Sequence, residues 1–342
     1  MSKTMKAAGF SMIELTIASV LLFVMLYSVA ALSLSGADAS DLSRRLTRAA
    51  EVSQEIVNDT RLEIVSSVRL FGDDAEGNAN LARLDLSGAM PQLASSRLPT
   101  IDANGTIGAD TVGNEITGNS LFFCKLAWSD RFVCLSGNEY LVDVLRWVYI
   151  YLTPESGGAQ VGSPVGLNLV RVVSEPLIDA GSVDRISDPV DQAEVLMHLL
   201  NATPDANGVT HLPCEIVWMR GELPSATDAI RQIDPSDGSL SSTPIGGRAS
   251  PFEIVRRDDE VEGMLYYRHH SVATNYSPPS YGVATFGIPS ATNGGFPHGF
   301  EVQITGPSSA RQVLVHLVVA STNNHGHKAY NDVQIVVDAR DT

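Results

Sequence analysis

The stretch Gly9-Phe10-Ser11-Met12-Ile13-Glu14-Leu15-Thr16 opens a run, Leu15 to Ala37, of 23 consecutive residues without a charge. As a helix this run extends roughly 34 Å, which matches a hydrocarbon layer of about 30 Å. Lys3 and Lys6 lie before it and Asp38 and Asp41 after it, so the charge bias predicts a cytoplasmic N-terminus and an exported remainder. Glu14 stands out, because an unpaired carboxylate costs about 2.5 to 3.5 kcal/mol when deeply placed in a bilayer. Something should neutralise it.

Beyond the apolar run, Leu42, Leu46, Ala49, Ile56, Ile64 and Val68 recur at helical spacing, with Arg44, Arg45, Arg48, Glu51, Glu55, Asp59 and Arg61 between them. No proline occurs before Pro91, and Gly36 is the only glycine between Phe10 and Phe71. The pattern predicts one long helix that runs to about Leu70 and packs the apolar stripe of its second half on a folded domain.

The segment around Gly9, Phe10 and Glu14 resembles the prepilin family. In that family a membrane peptidase cuts after the glycine and N-methylates the new first residue, and a glutamate stands at the fifth mature position. The resemblance implies that residues 1–9 are a cytoplasmic leader, that cleavage falls between Gly9 and Phe10, and that Phe10 is methylated. Glu14 then sets register by pairing with a neighbouring subunit's amine, a cation with pKa near 7.7 to 8.0. Residues 10–37 become the transmembrane helix and residues 38–71 its amphipathic continuation. An ordinary signal peptide cut after Ser28-Val29-Ala30, with a mature start at Ala31, needs neither the glycine-aromatic step nor the glutamate.

Residues 72–119 are rich in Gly, Asn, Asp, Ala and Ser and read as an irregular connection with short helical pieces. A β-rich domain is expected over 120–342. Ser120 to Leu126 and Arg131 to Leu135 read as a strand pair, followed by Tyr140 to Leu152 and Gly166 to Val173. Asp191 to Leu200 has helical spacing, with Asp191 as its cap. Further strands are expected at Cys214 to Arg220, Phe252 to Val255, Gly263 to Arg268, Phe300 to Thr305, Arg311 to Val319 and Val333 to Val337. Long loops, Asp234 to Pro251 and Asn275 to Gly299, interrupt them.

The order Trp147, Tyr149, Tyr151, then Arg171, then Glu175-Pro176-Leu177-Ile178-Asp179 is similar to the PilW-type minor pilins and the J-type minor pseudopilins of type II secretion. The resemblance implies an α+β, pilin-like fold, in which a long N-terminal helix packs on an antiparallel sheet. It also implies a minor subunit that initiates or caps pilus assembly, with a type II secretion pseudopilin or a tip adhesin as alternatives. The implied partners are other pilin subunits, the prepilin peptidase and the inner membrane. The implied location is an inner membrane anchored once, then a pilus or pseudopilus filament.

A net charge of −16 disfavours a nucleic-acid surface, and Arg44, Arg45 and Arg48 read as a solvated helix face. The spacing of Cys124 and Cys134 leaves two readings open: a disulfide across a hairpin in an oxidising compartment, or two buried thiols. Cys214 reads as a buried thiol beside a strand. No Gly-x-Ser-x-Gly, phosphate-binding loop or His-Glu-x-x-His occurs, so no enzyme is expected. His269-His270 and His325-Gly326-His327 read as solvated rather than metal-binding. Acidic loops at Asp73 to Asn78 and Asp234 to Gly238 lack the twelve-residue calcium spacing; turn chemistry explains them, calcium stays open, and no other cofactor is expected. Tyr276 and Tyr281 lie in a polar loop suited either to adhesion or to passive connection.

Overall fold

A computed structural model describes residues 11–84, 86, 92–93, 96–108, 116–154, 167–221, 230–242, 249–255, 257–258, 269–272, 299–322 and 328–341. The chain divides into two compact units, residues 1–48 and 49–342. The helix α1, Met12–Val65, is unbroken for 54 residues. Its length follows from the lack of proline and from the single glycine, Gly36, in its interior.

The helix ends at Val65, not near Leu70. Ser66 hydrogen-bonds back to the Glu63 carbonyl at 2.8 Å, and the β-prone Val68-Arg69-Leu70-Phe71 enters the sheet instead. This strand, β1 (Ser67–Phe71), precedes α2 (Ala75–Leu81) and β2 (Ile101–Asp102). The connection over 72–119 therefore holds regular pieces.

The expected hairpin between Ser120 and Leu135 is one continuous strand, β3 (Leu121–Val133), bulged between Leu126 and Trp128. The turn lies later, and β3 pairs antiparallel with β4 (Glu139–Pro154), which in turn pairs with β5 (Leu167–Ser174). Leu177–Asp179 forms β6; α3 (Ala180–Val183) and α4 (Pro189–Asn201) follow. The cap of α4 is Asp188, whose side chain accepts from the Val190 N–H at 2.9 Å, with Pro189 in the first turn.

Next come β7 (Ile216–Trp218), β8 (Ile230–Ile233), β9 (Leu240–Ser242), β10 (Ala249–Val255), β11 (Arg257–Asp258) and β12 (His269–Val272). The chain closes with β13 (Phe300–Thr305), β14 (Arg311–Thr322) and β15 (Lys328–Ala339). The expected strand Gly263 to Arg268 lies outside the described residues. The described strands form one hydrogen-bonded network, antiparallel except where β13 meets β2 and β6 meets β7.

Apolar residues of α1 from Ala49 onward, including Val52, Ile56 and Ile64, pack on Phe123, Ile150, Val302 and Val315. A second core is aromatic: Phe71 stacks on Phe122 at 4.4 Å, and Tyr149 stacks on Tyr151 at 4.8 Å. Alternation along β3 and β4 sends one set of residues to each core, as a strand period of two requires. A third core joins α3 and α4 to Phe132, Val142 and Ile178. The architecture is α+β and pilin-like: a long N-terminal helix that from Ala49 onward packs on a largely antiparallel sheet.

Candidate functional site

The first described turn of α1 is a reciprocal cap. The Ser11 N–H donates to Glu14 Oε2 at 2.9 Å, and the Ser11 hydroxyl accepts from the Glu14 N–H at 3.2 Å. Ser-x-x-Glu is a capping-box signature, so this feature is legible in the sequence. Gly9 and Phe10, the expected processing site, lie outside the described residues.

From Met12 to Leu34 the helix exposes apolar side chains on every face, among them Leu15, Leu22, Phe23 and Leu32. The hydroxyls of Thr16, Ser19 and Ser28 each donate to the carbonyl four residues back, at 2.8 Å. Their polar groups are thus satisfied within the helix, a requirement in hydrocarbon, where water is missing. One helix of the described chain is long and apolar enough to cross a membrane.

The remaining candidates are placed as follows. Cys124 lies within β3 and Cys134 just past its end, ten positions along one strand, or about 30 Å at about 3.3 Å per residue. They cannot form a bridge, which needs α-carbons within about 7 Å, and all three cysteines are free and buried. Burial drives the Cys134 thiol up to about 11 and Cys214 up to about 12, and Cys124 well above its ordinary range.

The acidic loops serve their own backbones. Asp74 accepts from the Gly77 N–H at 2.7 Å as the α2 cap, and Glu76 pairs with Arg69 at 2.6 Å. Asp234 accepts from the Ser236 N–H at 2.8 Å, before Gly238 at a φ of 73°. Arg45 pairs with Asp41 at 3.1 Å rather than standing solvated. His269 and His270 belong to β12, while His325, His327, Tyr276 and Tyr281 lie outside the described residues.

Three features were not legible from the sequence. Asp191, expected as a helix cap, is buried under the β3–β4 turn, where its Oδ2 accepts from Ser136, Asn138 and Tyr140 at 3.0, 2.8 and 2.8 Å. The hydrogen bonds from Asn138, Tyr140 and Ser136 hold its carboxyl below the usual range. With Cys134 and Glu194 it makes a cluster of ligand-type atoms, yet Glu194 Oε1 already accepts from the Leu135 N–H at 2.9 Å. The arrangement clamps a turn to a helix.

Buried His316 of β14 lies between Glu301 and Asp332 of the flanking strands, with its ring nitrogens 2.8 and 2.7 Å from their carboxylates. Buried Asp341 takes Arg69 at 3.1 Å and Arg311 at 2.8 Å, which fastens the C-terminal end to β1. A cleft of about 320 Å³ is lined by Arg69, Asp179, Asp184 and Arg220, where Arg220 donates to Asp179 at 3.0 Å. Arg69 pairs instead with Glu76 and Asp341, and Asp184 with Arg231 at 3.4 Å.

No protein-family model, characterised protein or solved structure matches this chain. What the fold and the N-terminal geometry define is a class: an α+β protein with an N-terminal helix long and apolar enough to cross a membrane.

Proposed function

We propose that this chain is a minor subunit of a type IV pilus or of the related type II secretion pseudopilus. It is matured by removal of residues 1–9 and takes part in initiating or capping the filament. The observation that carries this reading is the step Gly9-Phe10 set four residues before Glu14, which is the only charge from Met12 to Ala37. A helix that is apolar on all faces must be covered by lipid or by other helices. A carboxylate in its first turn is tolerated in such surroundings when a cation meets it, and the amine freed at Phe10 of a neighbouring chain supplies one. The helix N-terminus also favours an anion by its own dipole.

On this reading Gly9→Asp leaves the precursor uncut, and intact-mass analysis showing normal maturation contradicts the step. Glu14→Ala is cut normally but is poorly incorporated, and filaments holding normal amounts of the variant contradict the pairing.

A further inference from the structure

We infer that the outer edge of β15 is a docking site for one extended segment of a partner, a strand with basic residues six positions apart around an uncharged centre. The inference does not depend on the filament reading, because the edge belongs to the described fold. Of the described strands only β14 pairs with β15, along all 12 of its residues and without a bulge. Those residues, Lys328–Ala339, include no proline or glycine, and Val333-Gln334-Ile335-Val336-Val337 carries no charge. An edge strand turns the N–H and C=O groups of alternate residues outward, and natural edges are blunted by bulges, prolines or central charges. The centre of β15 has none of these. Among the described residues its backbone bonds go to β14 alone. The edge closes just past Ala339, where the Ser67 hydroxyl donates to the Arg340 carbonyl at 3.0 Å.

Side chains at this edge are incompletely covered. Val333 and Ile335 lie partly buried at the margin of the first core, and Val336 on the opposite face is 51% exposed. An added strand supplies main-chain hydrogen bonds and covers such residues from the side.

Charge selects the occupant. Asp332 and Asp338 are exposed and share the face of Val336, since alternate residues point the same way. Two copies paired antiparallel about Ile335, the register that matches their uncharged centres, set Asp332 opposite Asp338 at both ends. Parallel pairing in register sets each acid beside its own copy. Like charges directly opposite are destabilising, whereas lysine or arginine across both acids, about 20 Å apart, is favourable.

The test uses the full chain in detergent micelles with two synthetic peptides, Lys-Thr-Val-Thr-Val-Thr-Lys and the same peptide with Glu in place of Lys. The lysine peptide is expected to bind about tenfold more tightly by fluorescence anisotropy at low salt, and to slow amide exchange within Val333–Val337. Asp332 already bonds His316 at 2.7 Å, so the variant is placed at Asp338. Asp338→Lys should keep the wild-type melting temperature and remove the lysine peptide's advantage; if that chain fails to fold, Asp338→Asn should show the same advantage reduced.

Binding of neither peptide, equal binding of both, or binding that leaves exchange in β15 unchanged overturns the site. Protection of β15 in the chain alone that disappears on dilution makes the occupant a second copy, and overturns the assignment of a basic partner.

Discussion

Glu63, near the end of the long helix, accepts a hydrogen bond at 2.8 Å from Nε of Arg171 in β5, while Lys125 of β3 bonds the same carboxylate. Two strands are thereby locked to the helix end beside Ile64 of the first core. All three side chains are mostly buried, so removing the central charge takes a shared carboxylate away from both cations. Glu63→Gln is expected to destabilise the full chain in detergent micelles by about 3 kcal/mol, with Arg171→Met partly compensating. Denaturant unfolding of the single and double variants checks this; a loss of less than about 0.5 kcal/mol would make the cluster a surface pair in effect.

Stability should fall on both sides of neutrality. Burial pushes Glu63 up, but hydrogen bonds from Arg171 and Lys125 outweigh it and hold the carboxyl below its ordinary 4.5. Its contribution is present above about 4.5 and lost as pH falls through the folded value. His316 has the opposite sign: burial lowers it, yet Glu301 and Asp332 raise it above 6.5. That contribution is complete below about 6.5 and is lost as pH rises through the folded value. Melting temperature across pH checks both, and His316→Gln should flatten the alkaline limb while leaving the acid limb unchanged.

The thiols should be inert in the folded chain. Burial keeps Cys134 near 11 and Cys214 near 12, so little thiolate forms at pH 8. Alkylation followed by mass analysis is expected to leave all three cysteines unmodified until denaturant is added. A cross-linked Cys124–Cys134 peptide from native protein would contradict the placement of both on one strand.

Asp191→Ala should loosen one turn and spare the rest. Ser136, Asn138 and Tyr140 lose their shared acceptor, so amide exchange at residues 136–140 should quicken while strands β4 and β5 keep their protection. Uniformly faster exchange across the sheet would show that the clamp supports the whole domain.

What the sequence reveals here follows from the range of the forces involved. The helix, the long strand around Trp147 and Tyr149, and β13 at Phe300–Thr305 are governed by local periodicity and were readable as such. The helix end was misjudged because Val68 fits both periods, and pairing of β1 with β3, some 55 residues away, decides between them. The β3 hairpin was misjudged because the polar Ser129-Asp130 imitates a turn, whereas a bulge between Leu126 and Trp128 keeps the strand running. Asp191 has cap chemistry, but Asp188-Pro189 begins the helix three residues earlier and frees Asp191 to reach the turn. Glu301, His316 and Asp332 are scattered along the chain, and strand register alone brings them together. At the N-terminus the Ser11–Glu14 cap was missed, although the Ser-x-x-Glu spacing, local to one turn, could have signalled it.

The most direct measurement is the mass and fragmentation of the N-terminal peptide of the protein from native membranes. A peptide beginning at Phe10, with one methyl group on its α-amino nitrogen, is the predicted result, because on the proposed reading that amine meets Glu14 of a neighbour. A mature chain beginning at Ala31, or an intact start at Met1, would contradict it: the first discards Glu14 and its helix, and the second leaves the carboxylate without a partner.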